Sequence, residues 1–154
     1  MGFFSEVQSW FEDSGDFGGR YGQKIILEWE KSDKSSFKKF ISKELGITLP
    51  TGYRLEQEYQ YQVGRRADLA VIDGDFPILL VEIKWNDTLV KETASRNAQL
   101  DDYVKYCSGS DKCSLLVLTK GSLSGNELRF LRKLGSRGHH HYFGKLSSYL
   151  DLNP

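Results

Sequence analysis

The apolar and polar positions of the chain repeat with different periods in different stretches. Near the start, Phe3, Phe4, Val7, Trp10 and Phe11 recur at helical spacing, and the segment SGDFGG breaks that pattern. A second helix is predicted over Tyr21 to Lys31. A third is predicted over about Ser35 to Leu45, with Phe37, Phe40 and Ile41 turned inward and Gly46 as the stop. The period then falls to two. Tyr53, Leu55, Gln57, Tyr59 and Tyr61 alternate with Arg54, Glu56, Glu58, Gln60 and Gln62, which predicts a strand with one face inward. Val63 to Arg66 turns the chain into a second strand, Ala67 to Ile72. Asp73-Gly74-Asp75 is a hairpin signal leading to a third, Pro77 to Trp85. That third run contains ILLVEI, apolar enough for a central strand covered on both faces. A long helix from Val90 to Cys107, a strand from Ser114 to Thr119 and a helix from Asn126 to Leu134 follow. A short strand from His140 to Phe143 and a short helix near Leu146 to Leu150 close the pattern.

The order is helices, a three-strand meander, then helix, strand, helix and strand. This predicts an α/β domain, a mixed sheet of four or five strands with helices on both faces. The 154 residues suit one domain, with a helical N-terminal part over 1–46 and the core sheet and helices over 52–145. A hydrophobic fraction of 39% excludes disorder for most of the chain. No apolar run is long enough for a membrane span, and the aromatic, acidic start is unlike a signal peptide, so a cytoplasmic location is expected. Without an export signal, Cys107 and Cys113, which flank SGSDK, are expected to be reduced thiols.

Charge shifts the functional reading. Lysine plus arginine and aspartate plus glutamate both number 21, so nucleic-acid binding would have to come from a local patch. Lys120, Arg129, Arg132, Lys133, Arg137 and Lys145, opposed in that stretch by Glu127 alone, read equally as such a patch or as a solvated face. His139, His140 and His141 alternate faces on an extended segment and are expected at the surface, not around one ion.

The chemistry-bearing positions lie in the most apolar part of the chain. Glu82 and Lys84 interrupt the third strand, two residues apart and so on one face. Burying either charge without a partner is costly. The hairpin turn brings Asp68 of the preceding strand beside Glu82. Two carboxylates about 4 Å apart repel by roughly 4 kcal/mol at an effective dielectric of ~20, and a divalent cation between them removes that repulsion. Oxygen ligands favour magnesium or manganese over zinc.

The string GRRADLAVIDGDFPILLVEIKW, followed by Gln99-Leu-Asp-Asp-Tyr103 on the next helix, resembles the PD-(D/E)XK nuclease superfamily. Its signature of an aspartate on one strand and Glu-x-Lys on the next falls on Asp68, Glu82 and Lys84. The helix motif resembles the Gln-x-x-x-Tyr of the RecB-like branch. The proline of the family name is absent, Ala67 standing before the aspartate. The resemblance covers about residues 53 to 120. It implies a restriction-endonuclease-like three-layer core and metal-dependent cleavage of phosphodiester bonds, with DNA favoured over RNA. It further implies that Asp68, Glu82 and the Ile83 carbonyl hold Mg2+ or Mn2+. Lys84 would orient or deprotonate water, and Gln99 and Tyr103 would bind the backbone or hold Lys84. Glu58 is the favoured further carboxylate, with Glu28, Glu30 and Glu56 as alternatives. Arg65, Arg66, Lys120, Arg132 and Lys133 are the expected contacts to nucleic acid. A homodimer or larger complex would serve cutting of both strands. The competing reading is a catalytically silent module of the same fold that docks nucleic acid or protein.

Overall fold

The computed structural model describes residues 18–84, 94–110, 112–119, 123–146 and 148–149. The helix expected from Phe3 to Phe11 lies outside them. Helix α1 is Gly18–Ser32, and α2 is Lys34–Leu45. Both glycines at the end of the SGDFGG segment are therefore already helical. Asp33 accepts the Ser36 N–H at 3.1 Å to start α2, and Gly46, at φ +67°, stops it as expected. The strands are β1 Arg54–Gln62, β2 Arg65–Asp73 and β3 Phe76–Lys84, then β4 Ser114–Thr119 and β5 Gly138–Tyr142. Helix α3, Ala94–Ser108, joins β3 to β4, and α4, Gly125–Arg132, leads toward β5. A short α5, Phe143–Leu146, follows β5.

The five strands lie in chain order in one mixed sheet. The first three pair antiparallel, while β3 with β4 and β4 with β5 are parallel. Alternate residues of β3 and β4 feed two cores, as a strand's period of two requires. Leu79, Val81, Ile83, Leu116 and Leu118 pack with α1, α2 and α5 around Ile25, Trp29 and Phe40. Leu80, Leu115 and Val117 pack with α3 and α4 around Leu100, Tyr103 and Leu131. The molecule is a three-layer α/β/α sandwich, as the order of elements predicts.

Several expected boundaries shift. β2 begins at Arg65, so the turn before it is only Val63-Gly64, with Gly64 at φ +75°. Phe143 belongs to a helix and not to the last strand, because its ring is drawn under α1. The largest departure is in β1. Strict alternation sends all its odd residues to one face. Yet Tyr53 and Leu55 pack on the α1/α2 side, and Tyr59 and Tyr61 pack on the α3 side. Between them Glu58 adopts φ +49°, alone among the non-glycine residues described. That local reversal lets the twisted ribbon of β1 and β2 cross from one core to the other.

Two contacts fix the layers. A Cβ on Gly22 of α1 would stand 2.6 Å from Ile83 Cγ2 and 2.7 Å from Phe143 Cζ, so only glycine allows α1 this close to β3. Gly22→Ala is expected to lower stability by about 1–3 kcal/mol through overpacking. Urea denaturation would show it as a fall in midpoint, and an unchanged midpoint would contradict the close approach. At the far side, Arg137 Nη1 donates to the carbonyls of Cys107 (2.8 Å), Cys113 (2.9 Å) and Ser110. Arg137 is thus half-buried and tied to backbone carbonyls, and leaves the expected surface patch. Cys107 and Cys113 are buried free thiols, with sulfurs 3.3 Å apart. Among the described residues, no helix is long and apolar enough to cross a membrane.

Candidate active site

The antiparallel register of β2 and β3 runs Ala70 with Leu80 and Leu69 with Val81. One step further it would set Asp68 against Glu82, but the backbone pairing stops there. The Asp68 side chain takes over instead: Oδ2 accepts the Ile83 N–H at 2.7 Å. A carboxylate substituting for a ladder acceptor keeps β3 straight while the strands part. Asp68 is half-buried, and Glu82 and Lys84 are buried.

The Glu82 pKa is pushed well above the ordinary carboxylate range. Burial is the main cause, followed by the hydrogen bond to Asp68 and by its charge. Lys84 and the Tyr103 hydroxyl pull the other way and do not overcome them. Glu82 Oε2 has no hydrogen-bond partner although it is shut off from solvent. An orphaned oxygen in a pair of carboxyls that resists double ionisation fits a site for one hard cation. Among the described residues no group of three or more His, Cys, Asp and Glu side chains is placed to hold a metal. A cation here would rest on Asp68, Glu82, the Ile83 carbonyl and water.

This pair makes stability depend on pH. Folding raises the Glu82 pKa, so the folded state binds the proton more tightly than the unfolded chain. Its stabilising share is complete below the unfolded value and is lost as pH rises through the folded one. Each tenfold in proton affinity is worth about 1.4 kcal/mol. With metal chelated, wild type is expected to weaken relative to Glu82→Gln as pH rises above the ordinary carboxylate range. Urea midpoints would check this, and parallel profiles of the two proteins would refute it.

Glu58 lies where the register of Gln57 with Leu69 and Tyr59 with Ala67 sets it opposite Asp68. Its unusual φ turns the side chain toward that neighbour. Gln23 of α1 bridges the two, its Nε2 3.0 Å from Glu58 Oε1 and 3.5 Å from Asp68 Oδ1. Gln57 Nε2 donates in turn to Gln23 Oε1 at 3.1 Å. The other carboxylates considered have different partners or places. Glu30 accepts from Tyr53 at 2.8 Å, and Glu56 pairs with Arg54 at 2.8 Å. Glu28 is half-buried on α1.

The two helix positions part company. Tyr103 is fully buried and donates to the Arg66 carbonyl at 2.9 Å. Burial first, then the charges of Glu82 and Asp68, drives its hydroxyl pKa far up, so it stays a neutral donor. Gln99, one turn earlier, is exposed, so the expectation that both face the site is not met in the same way. Arg65 is engaged with Asp102 at 2.6 Å, Arg66 is exposed, and Arg132 and Lys133 are exposed on or just after α4. Lys120 lies outside the described residues. The histidines are half-buried on β5, the edge strand of the sheet. His140 Nε2 lies 2.7 Å from Thr119 Oγ1, and His141 packs edge-on against Phe40, so the expected alternation holds.

Sequence reasoning missed Gln23 and Glu127. Gln23 falls within the inward face of α1, between Gly22 and Ile25, where a polar residue is a signal. Glu127 completes the Ser124-x-x-Glu127 capping box. That motif is legible in the sequence, but the full burial of its carboxylate is not. No family model, curated protein or solved structure matches the chain.

Proposed function

We propose that this chain is a metal-dependent nuclease of the PD-(D/E)XK superfamily that hydrolyses phosphodiester bonds, with DNA as the favoured substrate. The observation that carries the reading is the Asp68–Glu82 carboxyl pair, with its orphaned Glu82 Oε2, two residues from a buried lysine on the same strand face. Asp68, Glu82 and the Ile83 carbonyl would hold Mg2+ or Mn2+. That ion supplies Lewis acidity toward the phosphate and lowers the pKa of bound water. Lys84 orients the attacking water and offsets charge that develops on the phosphoryl oxygens. Tyr103 holds the Arg66 carbonyl of β2, two residues before Asp68, from the α3 side, and Gln23 holds Glu58 and Asp68 from the α1 side. Arg66, Arg132 and Lys133 give exposed positive charge for the phosphate backbone.

One observation favours a second reading, a silent docking module: Glu58 is occupied by Gln23 and no third acidic ligand joins the pair among the described residues. Incubating the protein with magnesium or manganese and linear, circular and branched DNA separates the two. Cutting that chelator stops supports the nuclease. Salt-sensitive binding without any cutting would leave the docking module.

A further inference from the structure

Lys84 is the last residue of β3 and stands beside Thr119 of β4 in the parallel register. It is only 8% exposed, and an ammonium so enclosed needs a countercharge. The countercharge comes from the helix that follows β4. Glu127 Oε2 lies 4.0 Å from Lys84 Nζ, and Glu127 is fully buried at the start of α4. Its second oxygen is tied down, since Oε1 accepts the Ser124 N–H at 3.1 Å. Its own N–H donates to Ser124 Oγ at 3.1 Å. A capping box that only starts a helix works equally well in water. Here its carboxylate is fully buried, and the oxygen that does not cap the helix lies 4.0 Å from the lysine. At 4.0 Å the contact is a charge attraction and not a fixed hydrogen bond, which restrains the ammonium without consuming its donors.

We propose that Glu127 is the positioning residue of the site: it holds the Lys84 ammonium at the carboxyl pair while leaving its N–H groups for water and phosphate. The inference rests on the nuclease reading and adds to it a residue outside the Asp, Glu-x-Lys set. Ser124 and Glu127 make the same cap, yet only Glu127 reaches Lys84, so their substitutions separate positioning from helix capping.

The test compares wild type, Glu127→Gln, Glu127→Asp and Ser124→Ala in magnesium-dependent DNA cleavage and, without metal, in urea denaturation. Glu127→Gln keeps an acceptor for the Ser124 N–H and removes the charge. It is expected to lower kcat about 10- to 100-fold with KM for DNA unchanged, as loss of a supporting partner does. Ser124→Ala is expected to lower the urea midpoint while kcat stays within about threefold, the cap being worth stability and not rate. Glu127→Asp keeps the charge one methylene further back and is expected to retain more activity than Glu127→Gln. It also serves as the readout should Glu127→Gln not fold. In the metal-free protein, Lys84→Met and Glu127→Gln together are expected to lose less stability than the sum of the single losses. Wild-type kcat in Glu127→Gln, an equal kcat loss in Ser124→Ala, or additive stability losses would each overturn the proposal while leaving the nuclease reading intact. A wild-type protein that cuts no DNA with magnesium or manganese would overturn both.

Discussion

Asp68→Asn is expected to reduce metal-dependent cleavage by roughly 10^3-fold or more, about 4 kcal/mol in the barrier. The amide keeps the shape of the side chain, and its oxygen can still accept the Ile83 N–H that Asp68 Oδ2 accepts at 2.7 Å. The loss would then be one of charge at the carboxyl pair and not of strand geometry. Asp68→Ala removes both and so confounds them. Lys84→Ala should abolish cutting as well, but at a cost in stability that the amino-acid sequence alone did not announce. It takes the lysine from a fully buried Glu127, and breaking a buried pair costs about 3–5 kcal/mol. Lys84→Ala together with Glu127→Gln removes both members of the pair and keeps the test one of chemistry. Gel-based cleavage of labelled DNA beside urea denaturation of each variant would check both halves. Cleavage that survives Asp68→Asn and the Lys84 variants removes the nuclease reading.

Arg137→Ala carries the other large expected effect, a loss of about 3 kcal/mol or more. One guanidinium nitrogen satisfies the Cys107, Ser110 and Cys113 carbonyls where α3 turns into β4. Without it, acceptors at the end of a buried helix and the start of a fully buried strand lose their donor together. Arg137→Lys should recover only part, because the lysine nitrogen ends one bond short of the place of Nη1. The measurement is a urea midpoint for each variant. A midpoint within about 0.5 kcal/mol of wild type, the range of an ordinary surface substitution, would mean the clamp holds nothing.

What could be read from the sequence follows from which signals are local. The hairpin between β2 and β3, the β4 strand and the cap at Gly46 depend on neighbours a few residues away, and each falls where the pattern placed it. Asp68 and Glu82 were legible as neighbours because a short hairpin has little choice of register. β1 is a strand as its alternation predicts, but its crossing between the cores is not legible because period two assumes a flat ribbon. The reversal at Glu58 is a tertiary event, set by a strand that must reach both cores. Glu127 and Gln23 were not singled out because their roles arise from contacts far along the chain. Arg137 was counted as surface charge for the same reason: an arginine that clamps carbonyls looks in sequence like one that faces water. Gln99 and Tyr103 lie one turn apart as their spacing implies, while their difference in burial depends on packing that spacing does not report.

The crossing of β1 from one core to the other has a consequence for how the molecule matures. Glu58 and Asp68 sit at the crossing point, Gln23 reaches them from the first core, and Tyr103, in the second, holds the Arg66 carbonyl beside it. A chain that has condensed only one layer of helices holds half of this constellation. The partner of Lys84 comes from α4, beyond β4 in the chain. A growing or partly folded polypeptide is therefore expected not to bring these side chains together, and only the finished sandwich does.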